Sequence, residues 1–334
     1  MGAAPGAEGF CLVIANEAVL GSGEDRSACA VDSGGGVLCV ADGCGGIGSR
    51  RYETLQHCTE AAIAAQLAVD TACEWAAALD GQRLPANRRE AQQVADQLQQ
   101  ALAARLAAFH QAHHNTEPSR VIMRGLQRTL PTTLCLGLVD AREPDTLSLL
   151  FFWAGDSRGY VWSVDGLVQC TADHAAGSPD ALENLYRDAK LTNMVNADAP
   201  FKIDVFGLRV TKPCIVLVAT DGAFAYLPTP MEFELLLLET LKASASMDRW
   251  QASLQRRLAR IASDDSTMVI ACFGFSSFAD VKAHFAQRMQ SFQATYVTPV
   301  RRRRQSIASA RALWAEYRKS YELSEEVRNA DWRL

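Results

Sequence analysis

The chain of 334 residues is 49% hydrophobic and 21% charged, the balance of a protein that folds around a buried core in water. A net charge of −5 excludes a generally basic, nucleic-acid-binding surface and favours cationic ligands or basic partner segments. No apolar run approaches the roughly 18 residues that cross a bilayer, and the opening MGAAPGAEGF lacks the basic-then-apolar order of a secretory signal.

Gly6 stands where a myristoylation pattern needs Ser or Thr. The 10 cysteines include no C-x-x-C, which argues against a zinc knuckle. Several lie in apolar runs such as VLCVA and IACFGF, where Cys serves as a small core hydrophobe. Together these features fit a reduced, cytoplasmic protein that neither enters a membrane nor binds nucleic acid.

The first strands are expected in FCLVIANEAV, SACAVD and GVLCVADG, with GSG and SGGG as turns between them. A helix is expected over ETLQHCTEAAIAAQLAVDTACEWAAAL. GQRLPAN ends it, and REAQQVADQLQQALAARLAAFHQAHH forms a second. The pair should lie antiparallel across one sheet face. His113-His114 closes that second helix, where a cation is favourable, and carries no metal role. Strands return with TTLCLGLVD, LSLLFFWAGDS, GYVWSV, FKIDVFGLRV and CIVLVATDG. Helices around MEFELLLLETLKA and DRWQASLQRRLARIA precede a last strand, STMVIACFGF. Strands bunched around long helices predict sheets covered by helices.

Residues 1–276 read as one domain and 277–334 as a C-terminal helical extension. Within the extension, Trp314, Tyr317 and Tyr321 recur at helical spacing and make one aromatic face. That face either packs on the domain or receives a protein partner. Arg301 to Arg304 precede Ser306 and form either a solvated face or a docking element for an acidic partner.

Four acidic residues sit at strand ends: Asp42 after VLCVA, Asp156 after FFWAG, Asp221 after VLVAT, and Asp264 just before STMVIACF. Singly, Asp before Gly is a common turn. If the Asp264 and Asp221 strands run antiparallel, the apolar strands deliver several carboxylates to one sheet end. Carboxylates crowded there must take up protons or bind cations. An all-oxygen set favours Mg²⁺ or Mn²⁺ over zinc. Glu24-Asp25 adds two more carboxylates at a strand edge.

At these residues the chain resembles the PP2C (PPM) family of metal-dependent serine/threonine phosphatases. The order Glu24-Asp25, VADGCGG from Val40 to Gly46, Thr132-Thr133, GDSRGYVW from Gly155 to Trp162, TADH from Thr171 to His174, Leu191-Thr192, ATDG from Ala219 to Gly222 and DDST from Asp264 to Thr267 is similar to that family's motif series. The resemblance implies an α+β fold, an α/β/β/α sandwich of two central antiparallel sheets flanked by helix pairs. It implies phosphoprotein substrates and two Mg²⁺ or Mn²⁺ ions. Asp42 would bridge the ions. Asp221 and Asp264 would complete one shell, the Gly43 carbonyl would enter the other, and Glu24 and Asp25 would act through bound waters. Asp42, Asp221 and Asp264 are thereby the catalytic set, with a metal-bridging water as nucleophile.

The match departs from the family in four places. Leu20 stands where many members carry an Arg that grips the substrate phosphate, which leaves Arg26 as the candidate substitute. Cys44 follows Asp42-Gly43 where His or Met is usual, and reads as a spacer. Ala225 replaces a ligand of a third metal, so that site is expected weak or absent although its partner Asp156 remains. The stretch between His174 and Leu191 is short for the substrate-proximal flap, and His174 itself reads as structural. These departures keep two rivals open: a pseudophosphatase acting as a binding module, and a phosphatase of a small phosphorylated molecule.

Overall fold

CIVLVA and STMVIACF are apolar at nearly every position, and the fold uses both faces of each. The computed structural model describes residues 10–52, 58–79, 83–113, 128–177, 180–185, 190–299, 307–330 and 332. Its strands are β1 (Phe10–Asn16), β2 (Arg26–Asp32), β3 (Gly35–Ala41), β4 (Arg51–Tyr52), β5 (Cys58–Thr59), β6 (Leu134–Asp140), β7 (Thr146–Ala154), β8 (Arg158–Ser163), β9 (Gly166–Gln169), β10 (Asp204–Thr211), β11 (Cys214–Ala219) and β12 (Ser266–Phe273). Two five-stranded sheets result, ordered β1-β12-β11-β8-β9 and β10-β7-β6-β3-β2, with antiparallel pairing throughout.

The helices are α1 (Glu60–Ala77), α2 (Arg88–Ala112), α3 (Ala181–Leu185), α4 (Pro230–Ala243), α5 (Met247–Leu258), α6 (Phe278–Phe292), α7 (Ile307–Tyr321) and α8 (Glu325–Asn329). Side-chain alternation sorts the strands into layers. Val216 and Val218 of β11 join Val269 and Ala271 of β12, Leu38 and Val40 of β3, and Phe151 of β7 in a core between the sheets. Ile215 and Leu217 point the other way, toward α4–α7. On the far side, α1 and α2 pack Ala64, Ala68, Leu98 and Leu102 against the outer face of the second sheet. The architecture is the α/β/β/α sandwich.

The first long helix starts later than its composition predicts. Its N-cap is Thr59, whose hydroxyl accepts from the Ala62 N–H at 3.1 Å, and Cys58–Thr59 pair with Arg51–Tyr52 as a short ribbon. Residues 53–57 of the predicted helix lie outside the described residues, as do Gly6, His114, Arg301 to Arg304 and Ser306. His113 caps α2 and stacks on Phe109, ring centroids 4.1 Å apart.

The cysteines correct the sequence reading. Cys11 on β1 and Cys29 on β2 form a disulfide, S–S 2.01 Å, that joins the edge strands of the two sheets. A search for closely spaced pairs cannot see partners 18 residues apart on different sheets. The bond removes the unpaired-cysteine argument for a reduced compartment. Among the described residues, no helix is long and apolar enough to cross a membrane.

The extension after Ser276 shares the core of the first sheet. Trp314, Tyr317 and Tyr321 are all buried there, with Phe285 and Phe292 of α6. Tyr317 reaches Glu234 of α4, whose side chain is fully buried. Arg288 of α6 grips it through Nε and Nη2, each at 2.8 Å. The Tyr317 hydroxyl donates to it at 2.7 Å and the Trp162 indole at 3.2 Å. A buried carboxylate is tolerable only with such partners. Arg288→Ala should therefore lower unfolding free energy by about 3–5 kcal/mol, and Tyr317→Phe by about 1–3 kcal/mol. Urea unfolding of both variants checks this; losses within experimental error would show that Glu234 does not need them.

Candidate active site

The antiparallel pairing of β11 with β12 sets Ala219 opposite Met268, so the end of one strand meets the start of the other. Asp221 leaves β11 in a short 3₁₀ turn, and Asp264 lies two residues before β12. On the second sheet, Asp42 follows β3 and Asp156 sits in the turn between β7 and β8. Glu24-Asp25 immediately precede β2. The sandwich thus collects at one end every acidic residue the sequence singled out.

Their charges act on one another. Burial pushes the Asp42 carboxyl well above the usual carboxylate range, and the charges of Asp221, Asp25, Asp156 and Asp264 push it further. Burial also raises Asp156, reinforced by Asp221 and Asp173. It raises Asp25 to about 7, although hydrogen bonds from Thr220 and Thr267 oppose the shift. Asp221 is pushed up to about 6 by burial and then by Asp264. Glu24 rises for the same reason, with Asp265 and Asp264 as the charged contributors. Asp264 itself is exposed, at the rim.

Hydroxyl groups hold this cluster in place. Thr133 Oγ1 accepts from the Asp42 N–H at 3.0 Å, while the Asp42 carbonyl accepts from Thr132 Oγ1 and the Thr133 N–H, each at 2.8 Å. Thr133 Oγ1 also meets Ser157 Oγ at 2.7 Å. Thr220 Oγ1 donates to Asp25 Oδ2 at 2.8 Å, and Thr59 Oγ1 donates to Glu24 Oε1. The Gly43 carbonyl accepts from the Gly45 N–H at 2.7 Å. Gly155, at φ +98°, turns the chain for Asp156, and a side chain there would collide with Thr133.

A second layer was missed by sequence reasoning. Arg158 and Asp173, 2% and 6% exposed, form a buried bidentate pair at 2.8 and 2.6 Å. Arg158 also lies over the Phe224 ring, 4.1 Å from its centroid, and its charge draws Asp156 and Asp221 back down. The available signal was that both residues belong to quoted motifs, GDSR and TADH, without an assigned partner. The His174 ring is held on both sides. Its Nδ1 accepts from the Gly155 N–H at 3.2 Å and its Nε2 faces Asp204 at 3.0 Å. Although burial opposes it, His174 and Lys202 hold Asp204 down at about 2.

Arg26 is engaged by the protein. Its Nη1 donates to the carbonyls of Gly23 and Asp25 at 2.9 and 2.6 Å, and its Nε to Gln66 Oε1 at 3.0 Å. Leu20 is 95% exposed beside Val19 at the tip of the same loop. Burial, then Asp42, pushes the Cys44 thiol well up and keeps it protonated at neutral pH.

Solved structures share this arrangement of sheets and helices. The serine/threonine phosphatase PstP/Ppp of Mycobacterium tuberculosis is 17% identical, with a TM-score of 0.54 over 80% of this chain and 100% of that one. Stp1 of Staphylococcus aureus is 16% identical, with a TM-score of 0.53 over 79% of this chain and 95% of that one. PppA of Pseudomonas aeruginosa, a regulatory component of its T6SS, is 21% identical, with a TM-score of 0.52 over 80% and 98%. The chain has the PP2C fold. No family model and no curated protein matches its sequence, so the likeness is one of fold.

Among the described residues, no three His, Cys, Asp or Glu side chains converge closely enough to cage an ion as they stand. Their charges nevertheless interact, Asp221, Asp25, Asp156 and Asp264 all acting on Asp42. Asp25 Oδ1 is buried with no partner. An orphaned carboxylate oxygen inside an all-oxygen donor set fits a hard divalent cation.

The shifts fix the sign of the pH dependence. Folded-state values raised above the ordinary carboxylate value of about 4 mean that stability is fully present below about pH 4 and is lost as pH rises through 6 to 7. Half-buried His284 acts in the opposite sense, one group against Asp25, Asp42, Asp156 and Asp221. In chelator, the melting temperature should therefore fall between about pH 5 and about pH 8, and Mn²⁺ should restore more of it at the higher pH. A melting temperature that rises with pH in chelator would contradict the burial of these carboxyls.

Proposed function

We propose that the chain is a metal-dependent serine/threonine phosphatase acting on phosphoproteins. The observation that carries this reading is the gathering of Asp42, Asp221, Asp25 and Asp156 into one mutually repelling cluster at the end of a PP2C-fold sandwich. Asp42, Asp221, Asp264 and the Gly43 carbonyl would hold two Mg²⁺ or Mn²⁺ ions, with Glu24 and Asp25 behind them. When bound, such ions activate water and neutralise phosphoryl charge, the two requirements of in-line phosphoryl transfer. The chain's own residues supply orientation. Thr132 and Thr133 fix the Asp42 backbone, and Thr220 fixes Asp25.

The pseudophosphatase reading is favoured by the phosphate grip. Leu20 offers no charge, and Arg26 spends its Nη1 and Nε donors on Gly23, Asp25 and Gln66.

Hydrolysis of p-nitrophenyl phosphate and of a phosphothreonine peptide, in Mn²⁺ and in chelator, separates the readings. The phosphatase reading expects turnover of both in Mn²⁺ alone. Asp42→Ala and Asp221→Asn should cut that turnover by about 10²-fold or more while the fold persists. Turnover undiminished in chelator would sink the reading. Activity on the small ester alone would favour a small-molecule phosphatase, and none on either the binding module.

A further inference from the structure

Asp265 is the point at which three carboxylate-bearing segments meet. It directly follows Asp264. Its main-chain carbonyl lies so close to Gly222 that any side chain there would collide with it, which presses it against the turn carrying Asp221. Its side chain crosses to the third segment, the connection between β1 and β2. Oδ1 accepts from the Ala18 N–H at 2.8 Å and Oδ2 accepts from the Glu24 N–H. The bonds to residues 18 and 24 close that connection into a ring. Inside the ring, Gly21 donates to Glu17 Oε2 and Ser22 to the Val19 carbonyl.

A carboxylate suits this task because both of its oxygens accept and neither atom donates. Asn would present an NH₂ group to one of the two N–H donors. The choice has an electrostatic cost, since Asp265 adds negative charge beside Glu24 and Asp25. A neutral residue that merely completed the loop would avoid that cost.

We propose that Asp265 is a positioning residue for the cation site: it holds the Glu24-Asp25 backbone in register with Asp221 and Asp264. Each of its two oxygens accepts a main-chain N–H, which is the contact that holds the backbone. The inference rests on the cation-binding reading above.

The test titrates full-length protein with Mn²⁺ alone by calorimetry and records melting curves in chelator. Asp265→Ala should weaken Mn²⁺ binding about 10- to 100-fold, the usual effect of removing an outer partner of a metal ligand. Asp265→Asn, which keeps one acceptor, should fall between it and wild type. Should Asp265→Ala not fold, the isosteric Asn variant decides. Variants that melt lower but keep wild-type Mn²⁺ affinity would show a merely structural role and overturn the proposal. Wild-type protein that binds no Mn²⁺ would overturn the cation reading itself.

Discussion

Repulsion among carboxylates is the constraint around which this molecule is organised. Strands β11 and β12 are buried along their whole length, so their ends cannot splay to relieve the charge they carry. Asp42 and Asp156 arrive from the opposite sheet, fixed by Thr133 and by the Gly155 turn. Each carboxyl loses solvent and gains like-charged neighbours, and both effects favour the proton. The fold therefore gathers carboxyls whose ionisation is costly where they stand.

The remaining packing supplies the rigidity this requires. Helices α6 and α7 complete the outer core of the first sheet through Arg288 and Tyr317 on Glu234. Helix α7 also reaches Asp180, through Trp314 at 2.9 Å and Arg318 at 2.8 Å. Asp180 precedes α3, whose Asn184 donates to Asp173, and Asp173 holds Arg158 behind Asp156. A continuous set of polar contacts thus runs from the extension to the acidic end of the sandwich.

The ends of strands were legible in the sequence because uniform apolar runs stop abruptly at Asp42, Asp156, Asp221 and Asp264. The gathering of those carboxylates was conditional on β11 and β12 running antiparallel, and they do. What was hidden depends on contacts between residues far apart in the chain. Asp265 has its hydrogen-bond partners 247 and 241 residues away. Glu234 lies in an ordinary-looking leucine-rich helix, and nothing local reveals a buried carboxylate awaiting Arg288. Cys11 and Cys29 fit apolar strands equally well free or bonded, so their pairing emerged only from the sheet edges. Helix α1 was overextended because its capping Thr59 lies inside a stretch of good helix formers.

Anomalous scattering from a Mn²⁺-soaked crystal tests the central claim most directly. The account predicts manganese peaks in contact with Asp42 and Asp221, and Asp25 Oδ1 no longer without a partner. Crystals that take up no manganese there would contradict it.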